Sequence, residues 1–124
     1  MIYSYKKNFG LGSVDFPTVL YSYPSYLGVD ILTASESDMP HSLLGFTNGR
    51  SIVIKDGLKD IGDFVLLHEE EHVKDMFASE MEVDKRALKR LISKKVSEEK
   101  LENVLRLLEK RWNIKIPEPD AFLQ

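Results

Sequence analysis

An α+β fold is the architecture that the sequence predicts, with a small, mostly antiparallel sheet packed on three helices. All five tyrosines lie at or before Tyr26, and residues 1–58 alternate strand-like runs with turn residues. Residues 60–112 are instead rich in Leu, Lys and Glu, with apolar side chains at helical spacing. A length of 124 residues suits one compact domain. We therefore expect a single domain over residues 1–124, ending in an extended tail at 113–124.

Strands are predicted in the first half of the chain at residues 18–23, 28–33, 42–47 and 50–55. The last two flank Asn48-Gly49, a dipeptide suited to the two positive-φ positions of a type I′ turn. These two strands are therefore expected to form a hairpin. The unbroken apolar run at 52–54 suits a strand that is covered on both faces.

Capping residues set the expected bounds of the first two helices. Asp60 or Asp63 can cap a helix that runs to about Phe77. Ser79, with Glu82 three residues later, has the form of a capping box and begins the second helix. The chain is therefore expected to break between the two helices close to Ser79.

A third helix is predicted to begin at Ser97 and to end before the tail prolines, Pro117 and Pro119. One face of this helix carries an apolar stripe: Leu101, Leu105, Leu108 and Trp112. A protein of this size needs such a stripe for its core. In a partner-binding domain without metal, the same stripe would be the docking face.

The composition argues against several classes of protein. The chain has 17 basic and 20 acidic side chains, and a net charge of −3 does not favour nucleic-acid binding. Because there is no cysteine, thiolate zinc sites and a cysteine nucleophile are excluded, and His, Asp and Glu are the candidate metal ligands. The sequence shows neither a membrane span nor a signal peptide, so we expect a cytoplasmic protein with no membrane partner.

The clearest chemical signal is His68-Glu69-Glu70-Glu71-His72, a His-Glu-x-x-His pattern inside the first predicted helix. Residues four apart share a helix face, so both imidazoles can approach one zinc ion at about 2 Å. Glu69 can then contact a metal-bound water rather than the metal. The alternative is that the three glutamates form a solvated acidic run on a surface helix.

A catalytic zinc ion with two histidine ligands needs a third protein ligand, and Glu80 is the candidate. On one continuous helix Glu80 would lie roughly 12 Å along the axis from His72, too far to share the ion. The break at Ser79 removes this difficulty, because a second helix that folds back brings Glu80 to the metal. Asp84, one turn further on, can accept a hydrogen bond from a ligand histidine and fix its tautomer. The alternative is that both acids simply complement the helix dipole.

Residues 45–58, 66–72 and 80–87, taken together, resemble the core of the gluzincin metallopeptidases. The similarity covers roughly residues 43–90. It is closest to the catalytic domains of the HtpX and CAAX-prenyl peptidases and to their small soluble relatives, the minigluzincins. The resemblance implies a zincin-like fold, in which an edge strand before the motif helix binds extended substrate.

The resemblance also assigns roles to individual residues. It implies that His68, His72 and Glu80 are the zinc ligands and that Glu69 is the general base and acid. A Glu-x-x-x-Asp motif on the second helix supplies the third ligand in this family, and Asp84 matches its supporting aspartate.

The mechanism expected for such a site is hydrolysis of a peptide or protein substrate by a zinc metallopeptidase. Zinc lowers the pKa of its bound water toward about 7, so Glu69 can deprotonate that water and later pass the proton to the leaving amine. The strand at 51–55 would hold substrate by main-chain hydrogen bonds. His41, Tyr23 and Tyr26 are candidates, by residue type alone, to stabilise the oxyanion.

An alternative hypothesis is a domain that binds zinc without turnover, or one whose site is blocked by its own chain. The tail carries Glu118 and Asp120, and a carboxylate from a tail lying in the cleft would suit zinc. Otherwise the tail packs on the surface. The sequence leaves the oligomeric state open.

Overall fold

A computed structural model describes residues 19–24, 28–35, 37, 39 and 43–124, with the backbone alone at 19–24. The α+β class is confirmed, since the strands precede the helices along the chain.

Among the described residues, four strands form one mixed sheet: β1 (Val19–Pro24), β2 (Asp30–Ala34), β3 (Gly45–Thr47) and β4 (Ser51–Lys55). Their order across the sheet is β1-β2-β4-β3, so β4 is a central strand. β1 pairs antiparallel with β2, and β3 pairs antiparallel with β4. The central pair, β2 with β4, is parallel, because the chain crosses to the far edge at β3 before it turns back. The prediction of a mostly antiparallel sheet therefore holds for the two outer pairs.

The predicted hairpin of β3 and β4 is present, but its turn is not of type I′. Gly49 has a φ of 91°, whereas Asn48 does not have a positive φ. The Asn48 amide donates to the Ser51 carbonyl at 3.4 Å, which makes Gly49 and Arg50 the central pair. The Asn48 side chain accepts from the Arg50 and Ser51 amides at 2.8 and 2.9 Å. A positive-φ glycine in the first central position is the type II′ pattern, so the turn lies one residue later than predicted.

Helix α1 (Gly62–Lys74) contains the His-Glu-x-x-His motif and follows a 3₁₀ turn at Lys59–Ile61. The predicted caps are wrong, because no side chain caps α1 and its backbone continues directly from the 3₁₀ turn. Asp60 and Asp63 instead accept hydrogen bonds from side chains in the range 100–103. These two acids therefore tie the start of α1 to a later helix.

The break between the first two helices is close to its predicted place. α1 ends three residues before Phe77, because the backbone of Asp75 leaves the helical region. Helix α2 (Glu80–Ser93) begins at the predicted cap, where the Ser79 hydroxyl accepts from the Glu82 amide at 3.1 Å.

Helix α3 (Glu98–Trp112) also begins at its predicted cap, since the Ser97 hydroxyl accepts from the Lys100 amide at 3.1 Å. The apolar stripe of α3 belongs to the core. Leu105 and Leu108 are buried in the helical cluster, and the other two stripe residues pack against it. The interpretation of the stripe as a free docking face is therefore wrong.

The tail is not extended throughout, as the sequence analysis predicted for 113–124. Residues Pro119–Leu123 form a short helix, α4, because proline is tolerated in a first helical turn. Ile116 and Phe122 are both buried in the helical core. The Lys85 ammonium also donates to the backbone carbonyl of Gln124 at 3.1 Å. The tail is thus packed on the helices.

Helix α1 lies between the sheet and the other helices and packs on both. Phe64 and Leu67 face the helical core, while Val65 packs with Ile52 and Ile54 of the sheet. This position buries the motif residues between two layers. Across the described residues, every helix falls short of the length and apolar character that crossing a membrane requires.

Candidate metal centre

The motif histidines lie on one buried face of α1. His68 and His72 are 1% and 7% exposed, and their ring centroids are 4.8 Å apart in an edge-on arrangement. Glu69, Glu70 and Glu71 are buried as well. The alternative of a solvated acidic run is therefore wrong.

Glu80, the first residue of α2, meets both histidines because the chain reverses between α1 and α2. Its carboxylate oxygens lie 3.2 Å from His68 Nε2 and 2.9 Å from His72 Nε2. Ligands about 2.0–2.1 Å from a tetrahedral zinc ion are about 3.3 Å from one another. One donor atom from each of the three residues lies within 4.8 Å of the others, so this group can hold a metal ion. Two imidazoles and one carboxylate form a donor set known for catalytic zinc.

Neither tail carboxylate belongs to this group. Within the described part of the chain, the cluster of potential metal ligands consists of His68, His72 and Glu80, without Glu118 or Asp120. Residues 113–124 are instead fixed by the burial of their apolar side chains. The hypothesis that a tail carboxylate reaches the metal is therefore wrong for this structure.

Asp84 makes the contact predicted for it, with His68. Its Oδ1 lies 2.7 Å from His68 Nδ1, and the aspartate is fully buried. A hydrogen bond from Nδ1 leaves Nε2 as the nitrogen that faces Glu80. The ring orientation that a metal requires is thus already set.

Two further residues hold Asp84, and their role was not predicted from the sequence. Arg111 Nη1 donates to both carboxylate oxygens, at 3.0 and 3.1 Å, and Trp112 Nε1 donates to Oδ2 at 2.8 Å. Both come from the last turn of α3, where a basic residue ordinarily indicates only complementarity to the helix dipole. No local sequence signal distinguishes a basic side chain that contacts Asp84 from one that only complements the helix dipole.

Glu69 differs from the other groups of the centre in how its carboxylate is buried. Its side chain is fully buried, and neither carboxylate oxygen has a hydrogen-bond partner among the described residues. Burial raises the pKa of Glu69 to about 7, although the positive charges of His68 and Arg111 oppose the shift. A buried carboxyl with a pKa near neutrality is suited to accept and return a proton.

Small free volume lies beside this carboxylate. A cavity of about 10 Å³ is lined by Glu69, His68, Gly45 and Arg111, together with neighbouring apolar side chains. That volume is enough for about one water molecule and far too small for a peptide.

The imidazole of His68 lies between the carboxylates of Asp84 and Glu80. Burial alone would lower its pKa, but hydrogen bonds to Asp84 and Glu80 outweigh burial and raise the pKa to about 9. A metal ion that binds Nε2 must therefore displace a proton.

The strand predicted to hold substrate is the wrong one. β4 (Ser51–Lys55) has both edges occupied, by β2 and β3, so it cannot accept a further strand. β3 is an edge strand of the described sheet, and its Gly45 lines the cavity beside Glu69. The oxyanion candidates His41 and Tyr26, and the side chain of Tyr23, lie outside the described residues.

The comparisons with known proteins assign no relative. No protein-family model matches the chain, and neither the curated proteins nor the solved structures contain a match to it. The function of the centre is therefore inferred from its geometry.

Proposed function

We propose that the protein is a zinc-dependent metallopeptidase of the gluzincin type. The observation that carries the proposal is the convergence of His68, His72 and Glu80 beside the buried carboxylate of Glu69. A buried carboxylate without a hydrogen-bond partner among the described residues, next to three metal donors, is the arrangement expected for metal-assisted hydrolysis.

Each residue has a distinct role in the proposed reaction. His68, His72 and Glu80 would hold the zinc ion, which supplies Lewis-acid activation of a water molecule. Glu69 would accept a proton from the water that attacks the peptide carbonyl and return it to the amine released when the C–N bond breaks, for which a pKa of about 7 is well matched. Asp84 holds the His68 ring in the orientation that directs Nε2 to the metal.

An extended peptide would reach this centre along β3. This strand pairs with β4 through one edge only within the described sheet, and Gly45 lines the same cavity as Glu69. Main-chain hydrogen bonds to β3 would place a scissile carbonyl near the general base. The substrate class is therefore a peptide or protein in extended conformation.

Burial of the centre favours one alternative, a zinc-binding domain that is catalytically silent or self-inhibited. His68 and Glu69 have almost no exposed surface, and the adjoining cavity holds about one water. A peptide can therefore enter only if the chain around the centre opens. Under this alternative the zinc site forms but turnover does not occur until that opening.

The test is cleavage of a quenched fluorescent peptide library by the purified, zinc-loaded chain. We expect cleavage that a strong chelator abolishes and that added zinc restores. Bound zinc without cleavage, including after limited proteolysis of the native chain, would favour the silent alternative. Cleavage that survives complete removal of zinc would contradict the proposal.

A further inference from the structure

The last turn of α3 contacts the metal centre through a single buried carboxylate. Arg111 Nη1 contacts Asp84 Oδ1 and Oδ2, at 3.0 and 3.1 Å, and Trp112 Nε1 contacts Oδ2 at 2.8 Å. His68 Nδ1 occupies the remaining approach to Oδ1 at 2.7 Å. Asp84 therefore accepts from three side chains, on two other helices, and has no exposed surface.

This contact set leaves Asp84 little freedom to rotate. Removal of either α3 donor would leave part of a buried carboxylate without a partner, and the carboxylate would turn toward its remaining contacts. Because Asp84 holds the His68 ring, such a turn would be transmitted to Nε2, the atom that faces Glu80. Partners that orient a ligand histidine typically change metal affinity when they are mutated.

We infer that Arg111 and Trp112 are positioning residues of the metal centre, which set its zinc affinity through Asp84 and His68. The inference rests on the proposed function only in that the centre binds zinc. It makes the end of α3, 27 or more residues from Asp84 in the sequence, part of the site.

A purely structural role is the competing explanation. Arg111 and Trp112 would then attach α3 to α2, and their loss would lower the free energy of unfolding without changing zinc affinity of the folded protein. Zinc affinity is therefore the readout that separates the two explanations.

The chain offers closely matched variants for this test. Trp112→Phe keeps an aromatic ring, although a smaller one, and removes the Nε1–H donor. Arg111→Met removes the guanidinium, whereas Arg111→Lys keeps a charge that can contact one carboxylate oxygen at a time. Arg106→Met is the control, because Arg106 lies exposed on the same helix and pairs with Glu102 and Glu109 rather than with Asp84.

Zinc dissociation constants are measured by competition with a chromophoric chelator, on variants whose folding is verified by circular dichroism and thermal melting. We expect an affinity loss of about 10- to 100-fold for Arg111→Met, a smaller loss for Trp112→Phe and an intermediate one for Arg111→Lys. Arg106→Met should keep native affinity. If Arg111→Met does not fold, Trp112→Phe decides the question.

Trp112 gives a second, spectroscopic readout, because it is the one tryptophan of the chain. Its indole donates to the carboxylate that holds a ligand histidine, so zinc binding should change its emission in the native protein and not in Asp84→Ala. Folded Arg111 and Trp112 variants with native zinc affinity would overturn this inference alone. A native chain that binds no zinc would overturn the proposed function with it.

Discussion

Glu69→Gln is expected to hydrolyse peptides about 100- to 10,000-fold more slowly than the native protein while it binds zinc with unchanged affinity. The amide has the shape of the carboxylate but cannot accept a proton from water. Glu69 is adjacent to His68, one of the three clustered donors, and is not itself one of them. The loss should therefore appear in kcat and not in zinc content.

Glu82→Gln is the matched control for this variant. Glu82 is a half-exposed acid on α2 that pairs with Arg86, and its neutralisation should leave turnover and zinc binding unchanged. Loss of zinc in Glu69→Gln would contradict the assigned role, because it would make Glu69 a metal ligand.

The same variant has a readout that needs no substrate. In the metal-free protein, burial raises the folded-state pKa of Glu69 to about 7, above its usual value of 4.5. A raised carboxyl pKa stabilises the fold at low pH, and this contribution is lost as the pH rises from about 4.5 through 7. Between pH 5 and pH 8 the native protein should lose roughly 2 to 3 kcal/mol relative to Glu69→Gln. If the free energy of unfolding has the same pH dependence in the two proteins, the raised pKa of Glu69 is contradicted.

Arg90→Ala is expected to lower the free energy of unfolding by about 3 kcal/mol. Arg90 of α2 donates to Glu70 Oε1 at 2.9 Å and to Glu71 Oε2 at 3.1 Å, and both glutamate side chains are buried. Removal of the guanidinium takes a positive charge and two hydrogen-bond donors away from two adjacent buried carboxylates. Arg90 is itself about a quarter exposed, so we expect the lower end of the range for broken buried pairs.

Urea unfolding of the metal-free protein measures this effect, with Arg86→Ala as the control. Arg86 bridges Asp75 and Glu82 at the surface, and its loss should cost less than about 1 kcal/mol. Equal destabilisation by the two substitutions would show that the contacts of Arg90 contribute no more than a surface ion pair.

The features that could be predicted from sequence are those set by residues close together in the chain. Ser79 and Ser97 cap their helices because a hydroxyl reaches an amide three residues later. The two motif histidines converge because residues four apart share a helix face. The convergence of Glu80 was predicted from the cap at Ser79, because a new helix starting there allows the chain to fold back.

The features that sequence could not supply depend on how separate elements pack. Arg90 reaches Glu70 and Glu71 across the α1–α2 interface, and Arg111 reaches Asp84 across the interface of α2 and α3. No periodic pattern in the sequence indicates either contact. The central position of β4 likewise depends on a parallel pairing with β2, which strand patterns in the sequence do not specify.

The folded tail was missed for a different reason. Two prolines favoured an extended segment, but proline in the first turn of a helix removes no hydrogen bond that the helix would otherwise make. The burial of Ile116 and Phe122 in the helical core then fixes the segment in place. Here tertiary burial outweighs the local preference.

The most direct test of the account is the zinc content of the purified, tag-free protein after zinc is supplied and unbound metal is removed. The account predicts about one zinc per chain in the native protein and in Glu69→Gln, with the metal lost from His68→Ala and from Glu80→Ala. A native chain without zinc, or a Glu80→Ala variant that keeps native zinc affinity, would contradict it.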